Sequence, residues 1–421
     1  MLLLPLFCTA LALLSALFLL TAAFKLYKPR PWPPGPRGWP LIGHLHLLGD
    51  LPHQSLCSIS KIYGPLMGLR LGRVPTIVVS SPAMAKEILQ THDLAFAYRP
   101  RLAAAVHMYF NCTDMGFAPY GPYWKLLRQL FFSELFSRKR LEASRHVREE
   151  EVRALTHFLV DTVREKALQE PMELRASLLA TSNNINCRMA IGKRITEISN
   201  HGVSEKGDLL SLVEEMLHLL SVFYVGDFIP WLAWLDPHGY LKRMKAAGRK
   251  SKEVMQAIID ERREDHRKAV AVGETVTQND LLDVLLHAAT SPADGVVITD
   301  DNIKANIMDV FVGGSDTSSV TVEWALADLI NNPQVMDKVQ DELDRVVGKA
   351  RLVAEDDTPN LPYLAAVLKE SMRLHPSLPL LLAHEASQEC EINGYKIPKK
   401  TLAYVKHMGH REGSRCLGKA S

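Results

Sequence analysis

Residues 311–319, Phe-Val-Gly-Gly-Ser-Asp-Thr-Ser-Ser, place two adjacent glycines ahead of an acid and several hydroxyls, inside a stretch of helical pattern. A glycine in a helix interior costs about 1 kcal/mol relative to alanine. Gly313 and Gly314 are therefore useful there if another object must come close to the backbone. Asp316 and Thr317 follow at once, and a carboxyl beside a hydroxyl can take up and pass on a proton. Two readings stand. Either the helix bends around a flat ligand, or it carries a local kink in which Asp, Ser and Thr bond back to their own backbone. Glu370 and Arg373, three apart, share a helix face, which by spacing alone reads as an exposed ion pair of little energetic value. Trp124 and Arg128, four apart, also share a face. By themselves they read as a core tryptophan and a surface charge.

These groups need long helices to hold them. Thr299 can cap the helix that carries Gly313, with Asp300 and Asp301 near its positive end. The apolar pattern continues to Asn331-Asn332-Pro333, which stops it. About thirty residues at 1.5 Å each give roughly 45 Å, enough to cross a domain. Residues 68–72 and 76–80 read as two short strands, and Ser81-Pro82 as a helix start. From about residue 120 the pattern is mostly helical, and 138–169 and 244–270 read as solvated amphipathic helices. Residues 223–237 are aromatic-rich and broken by prolines, which fits a buried loop or a segment dipping into a membrane surface.

The chain has 421 residues, 49 basic and 47 acidic, and a net charge of +2, which argues against a nucleic-acid partner attracted by bulk charge. Its six cysteines are scattered, with no Cys-x-x-Cys pair, so neither a zinc site nor a disulfide framework is indicated. Residues 2–24 are almost continuously apolar, long enough to span a bilayer. No charge precedes them, while Lys25, Lys28, Arg30 and Arg37 follow. That pattern favours an anchor over a cleaved signal peptide and puts the body in the cytosol. Pro29, Pro31, Pro33, Pro34 and Pro36 form a stiff hinge after it.

Four segments occur in a specific order: Pro33-Pro34-Gly35-Pro36, then 120–128 with Trp124 and Arg128, then 313–317, then Glu370-x-x-Arg373 followed by Leu374-His375-Pro376. Over residues 1 to about 405 the chain thereby resembles the plant microsomal members of the cytochrome P450 family, the haem-thiolate monooxygenases. The resemblance implies a mainly α fold with a small β region on an N-terminal transmembrane helix. The expected division is an anchor at 1–24, a basic proline-rich hinge at 25–40, a P450-like domain at 41–405 and a divergent tail at 406–421. It implies haem as cofactor, with Gly313 and Gly314 letting α-helical backbone approach the macrocycle. It assigns Trp124 and Arg128 to a haem propionate, with His384 near another basic propionate position. Asp316 and Thr317 would deliver protons during O–O cleavage, and Glu370 and Arg373 would form a buried pair completed by a later arginine. The implied partners are NADPH–cytochrome P450 reductase, a small apolar substrate and the membrane, with no nucleic acid. The implied location is the endoplasmic reticulum membrane, single-pass, with the body facing the cytosol. Residues 93–100 and 117–124 are similar to members acting on phenolic or flavonoid compounds of secondary metabolism, and 223–237 would border the substrate access channel.

The family's Phe-x-x-Gly-x-Arg-x-Cys-x-Gly loop, which supplies the iron ligand, does not occur here. Gly413-Ser414-Arg415-Cys416-Leu417-Gly418 is similar to it, but the Arg–Cys spacing differs by one residue. No residue is therefore assigned as metal ligand. The expectation is a C-terminally truncated chain that, as given, is inactive or at most a membrane-tethered binding protein, although the family function is NADPH- and O₂-dependent monooxygenation.

Overall fold

The computed structural model describes residues 32–165, 172–199, 202–205, 209–275, 280–291 and 295–406. The expected anchor at 1–24, the start of the hinge and Cys416 lie outside the described residues. No helix among them is long and apolar enough to cross a membrane.

The architecture is mainly α with a small sheet. The helices are α1 (Pro52–Tyr63), α2 (Pro82–Lys86), α3 (Ala103–Met108), α4 (Pro122–Glu134), α5 (Arg138–Ala143), α6 (Arg145–Glu165) and α7 (Arg175–Ile191). They continue with α8 (Leu209–Ser221), α9 (Val225–Phe228), α10 (Tyr240–Ala271), α11 (Leu281–Thr290), α12 (Asp300–Asn331), α13 (Pro333–Val346) and α14 (Pro362–Leu374). Proline opens α1, α2, α4, α13 and α14, where its fixed φ suits the first turn and its missing N–H is not needed. Ser81 caps α2 by accepting from the Met84 N–H, as the sequence suggested. Thr299 and Asn302 cap each other's backbone at the start of α12. At 32 residues, α12 is about 48 Å long.

The strands are β1 (Leu66–Leu71), β2 (Val74–Val79), β3 (Thr196–Ser199), β4 (Gly202–Glu205), β5 (His384–Glu385), β6 (Cys390–Ile392), β7 (Tyr395–Ile397) and β8 (Leu402–Val405). Four of them form one sheet in the order β1-β2-β8-β5. β2 and β8 run parallel, with Thr76 opposite Leu402 and Val79 opposite Val405. Both faces of this sheet are covered, and β8 shows the two-residue period of a strand. Ala403 and Val405 join Ile77, Ile88 and Phe96 on one face, and Leu402 and Tyr404 join Leu71, Phe228 and Ile229 on the other. The hinge packs on the sheet edge, where the Gly68 N–H donates to Pro34 O over 2.9 Å.

The large core surrounds α12. Ile303, Ile307, Met308, Phe311 and Val312 bury against Cys187, Ala190 and Ile191 of α7, Val213 and Met216 of α8, and Met244 and Met255 of α10. Residues 223–237 divide between the two sequence readings: Tyr224, Phe228 and Ile229 are buried, whereas Trp231, Trp234 and Leu235 are exposed.

One charge is locked inside the helical layer. Glu151 of α6 is 1 % exposed. It accepts from Arg188 of α7 at 2.7 Å and from Arg194 at 2.7 Å and 3.0 Å. Replacing it with a neutral side chain removes the buried anion that joins them, leaving Arg188 with Glu150 alone and Arg194 to solvent. Glu151→Gln should therefore cost about 3 kcal/mol in chemical denaturation, while Glu142→Gln, at an exposed position of α5, serves as the control.

Candidate active site

Helix α12 turns one line of residues toward open space. A Cβ built on Gly313 would meet nothing within 4 Å, so this side of the helix is uncovered. Asp309 and Thr317 lie one turn before and after Gly313 on the same line. Gly314 faces the other way: its Cβ would sit 2.5 Å from the Asn186 side chain of α7. The two glycines thus serve different ends, one leaving a gap and the other letting two helices meet. The helix hydrogen bonding runs unbroken through this stretch. Ser315, Thr317, Ser319 and Thr321 all donate to carbonyls three or four residues back, as the backbone-bonding reading expected.

Asp316 sits next to that line. Arg175 Nη2 donates to its Oδ1 over 3.2 Å, and Arg175 Nη1 also reaches Glu323 at 3.1 Å. Burial raises the Asp316 pKa, and the Arg175 charge opposes that rise. The Thr317 hydroxyl donates to Gly313 O at 2.7 Å, leaving its lone pairs free to receive.

Trp124 and Arg128 project from α4 into a cavity of about 550 Å³ with Arg99 and His384. Here Trp124 donates its Nε1–H to Met115 O at 3.1 Å. The Arg128 guanidinium lies 5.3 Å from the Trp124 ring and 4.8 Å from the Phe132 ring. Arg99 donates to Leu382 O and Ala383 O at 2.9 Å and 3.0 Å. His384 Nδ1 bonds Phe96 O at 2.7 Å. Burial first, and the Arg99 charge second, push its pKa down to about 4, so it is neutral at pH 7. The walls are apolar, with Ile88, Leu89, Phe96 and Ala118 among them. Two guanidiniums beside such apolar walls suit a flat apolar group that carries carboxylates, while Trp124 and His384, whose N–H groups are already bonded, shape the space. Arg99 escaped the sequence reading because its partners lie some 280 residues away, though it stands in the quoted segment 93–100.

The proximal elements are less enclosed. Arg373 donates to Glu370 at 2.7 Å and 2.6 Å. Their side chains are 37 % and 39 % exposed, closer to the exposed helix pair than to the buried one expected. No cluster of three or more His, Cys, Asp or Glu side chains able to hold a metal occurs among the described residues. Burial pushes the Cys112 thiol up to about 11 and the Cys187 thiol up as well, so neither is a ready thiolate.

A second carboxyl pair was invisible in the sequence. Asp114 is fully buried, and its Oδ2 accepts from Phe117 N at 3.0 Å, while its Oδ1 has no partner among the described residues. Asp309 of α12 accepts from Gly116 N at 3.2 Å. A Cβ on Gly116 would lie 3.0 Å from the Asp114 carboxylate and 3.4 Å from that of Asp309, so the two acids flank one residue. Nearby, Asn306 donates to Thr113 O at 3.1 Å, and the Tyr123 hydroxyl donates to the same oxygen at 2.5 Å. These side chains hold a strained segment, since Phe110, Asn111 and Cys112 have φ values of 48°, 69° and 62°.

Burial drives both acids toward the neutral form: Asp309 rises to about 6, and Asp114 rises further because Asp309 adds repulsion to its burial. For Asp309 the folded state binds its proton more tightly than the unfolded chain does. The associated stability is full below about pH 4 and is lost as pH rises through about 6. Asp309→Asn should therefore be more stable than the parent at pH 8, by about 2 kcal/mol. The difference should vanish near pH 4. Denaturation midpoints across that range measure it, and parallel pH curves would refute it.

A family model described as Cytochrome P450 matches residues 33–411. The chain is 44 % identical over 383 residues to a flavonoid 3′-monooxygenase of Oryza sativa subsp. japonica, covering 90 % of this chain and 71 % of that one. It is 43 % identical over 385 residues to a flavonoid 3′-monooxygenase of Petunia hybrida, covering 91 % and 73 %. Among solved structures, a zebra fish cytochrome P450 with progesterone superposes with a TM-score of 0.69 at 28 % identity, over 85 % of this chain and 79 % of that one.

Proposed function

This chain belongs to the cytochrome P450 family, whose cofactor is haem, and on that footing we propose that it is a monooxygenase acting on a flat phenolic substrate of the flavonoid class. The single observation that carries the chemistry is the line Asp309–Gly313–Thr317 on the open side of α12, with Asp316 beside it. In this reading Arg99 and Arg128 would hold the haem carboxylates in the cavity that they line with Trp124 and His384, whose own N–H groups are already given to Met115 O and Phe96 O. When bound, haem supplies the activation of O₂ with electrons that come from NADPH through a reductase partner.

The chain's own residues handle protons and position. Gly313 leaves room on the face of α12 where the reacting groups meet. Thr317 keeps its hydroxyl on that face by bonding Gly313 O, and it can turn to give or receive a proton. Asp316 stores a proton more readily than an exposed carboxyl, because burial raises its pKa. Arg175 holds that carboxyl in place and limits the rise. The alternative of an inactive tethered protein rested on the end of the chain, which lies outside the described residues, and no comparison favours it.

The proposed location is the cytosolic face of the endoplasmic reticulum membrane, with 2–24 as a single-pass anchor. Exposed Trp231, Trp234 and Leu235, at 53 %, 78 % and 52 %, support a body that rests on the lipid surface. Protease added to sealed microsomes should digest the body; a shielded body would overturn this topology.

Removing the Thr317 hydroxyl should impair proton delivery without disturbing cofactor retention. Thr317→Ala is expected to lower product formed per NADPH consumed by about tenfold or more, at unchanged haem content. Unchanged coupling would reduce Thr317 to a helix-packing residue.

A further inference from the structure

A separate cavity of about 280 Å³ lies between the sheet and the α8–α9 segment. Phe117, Leu217, Leu220 and Leu382 make much of its wall apolar. Two polar groups lie deep in it. Tyr404 is 7 % exposed, and its hydroxyl makes no protein hydrogen bond among the described residues. Asp227 is half-buried; its Oδ1 accepts from the Ala103 N–H at 2.7 Å, and its other oxygen has no partner among the described residues. The other polar lining residues are His53, whose pKa burial lowers, and Ser221 and Ser377, which are exposed; Ser221 already donates to His218 O at 2.7 Å.

We propose that Tyr404 and Asp227 together recognise a phenolic hydroxyl of the substrate and so set which flat aromatic compounds the cavity accepts. The proposal rests on the substrate class proposed above. A phenolic hydroxyl has one hydrogen to give and lone pairs to receive with. Asp227 offers an acceptor and Tyr404 a donor. Burial, with the Asp227 charge adding to it, keeps the Tyr404 phenol protonated. Burial raises Asp227 to about 6, so at neutral pH it is mainly the carboxylate.

The two groups are not hydrogen-bonded to each other, so each is available to a third group. Both are also held on fixed supports, as a specificity site requires. Tyr404 stands on β8, which is paired on both sides by β2 and β5. Asp227 is oriented by its bond to the first residue of α3. In the same lining the Phe223 ring lies 5.8 Å from Phe228, nearly parallel at 13°, and 5.9 Å from Tyr404. This row of rings gives a flat aromatic ligand a surface to stack on while its hydroxyl reaches the polar end. A ligand lacking the hydroxyl would leave a buried donor and a carboxylate unpaired, which is the strongest basis for rejecting an analogue.

The test uses the full chain, purified in detergent, and equilibrium dialysis with two probes: 4′-hydroxyflavanone and unsubstituted flavanone. The parent should bind the hydroxylated probe about tenfold or more tightly than the plain one. Tyr404→Phe keeps the ring against Phe223, and Asp227→Asn keeps an acceptor for Ala103. Each should reduce the preference to about threefold or less, by weakening the hydroxylated probe and easing the penalty on unsubstituted flavanone. If one variant fails to fold, the other decides the matter alone; if both fail, the parent's preference between the two probes decides it. A parent without preference, or a folded variant that retains it, overturns the assignment while leaving the substrate class standing. Binding of neither probe by the parent instead rejects the substrate class.

Discussion

The packing of α12 against α7 constrains everything else in this molecule. A helix that crosses the core must be apolar around most of its girth, yet one side of this one has to remain open. The chain meets both demands with small and polar residues set in register. Gly314 and Ser315 let Asn183 and Asn186 of α7 come close, and Ser315 donates to Asn183 at 3.2 Å. Phe311 and Met308, fully buried, fix the rotation of the helix. That rotation turns Gly313 and Thr317 outward and sets Asp309, one turn back, against Gly116, so the geometry of the reactive side follows from the packing of the other side.

Polar groups inside the fold fall into two kinds. Glu151 is answered at Oε1 by Arg188 and Arg194 and at Oε2 by Asn184, and serves to bind helices together. Asp114, Asp309, Asp227 and Tyr404 are each answered only in part or not at all by protein. All four lie at cavities, on the open side of α12 or in the strained turn packed against it. Incomplete pairing is costly in a protein interior; Asn183 Nδ2 and Ser251 Oγ also lack a partner among the described residues, inside helix packing, so the four above are set apart by lying where protons or ligands can be handled.

Much of this arrangement could be read from residues near one another in sequence. Asp316 and Thr317, the cap at Thr299, the proline starts and the stop at Pro333 are local features, and the chain obeys them. Trp124 and Arg128 share one cavity, as their spacing on α4 suggested. What escaped depends on partners far along the chain. Gly314 needs Asn186, Arg99 needs the carbonyls of Leu382 and Ala383, and Asp114 gains meaning only beside Asp309. The sheet order was equally hidden, because no pattern within residues 402–405 names β2 as their neighbour. The exposure of Glu370 and Arg373 likewise depends on what covers α14, which their i, i+3 spacing does not state.

The parallel pairing of β2 with β8 has a consequence for how the protein is made. β1 and β2 leave the ribosome early as an antiparallel hairpin, but the strand that completes β2 lies more than 300 residues later. At about 5–20 residues per second, the outer edge of β2 waits roughly 20–60 s for its partner. During that time its backbone donors and acceptors are open to any extended chain nearby. Arg70 and Arg73 flank the hairpin turn, and their charges oppose stacking with a second copy. The sheet is therefore among the last parts of the fold to close, and the apolar residues Ile77, Val78 and Val79 depend on a chaperone or on the nascent helices for cover until it does.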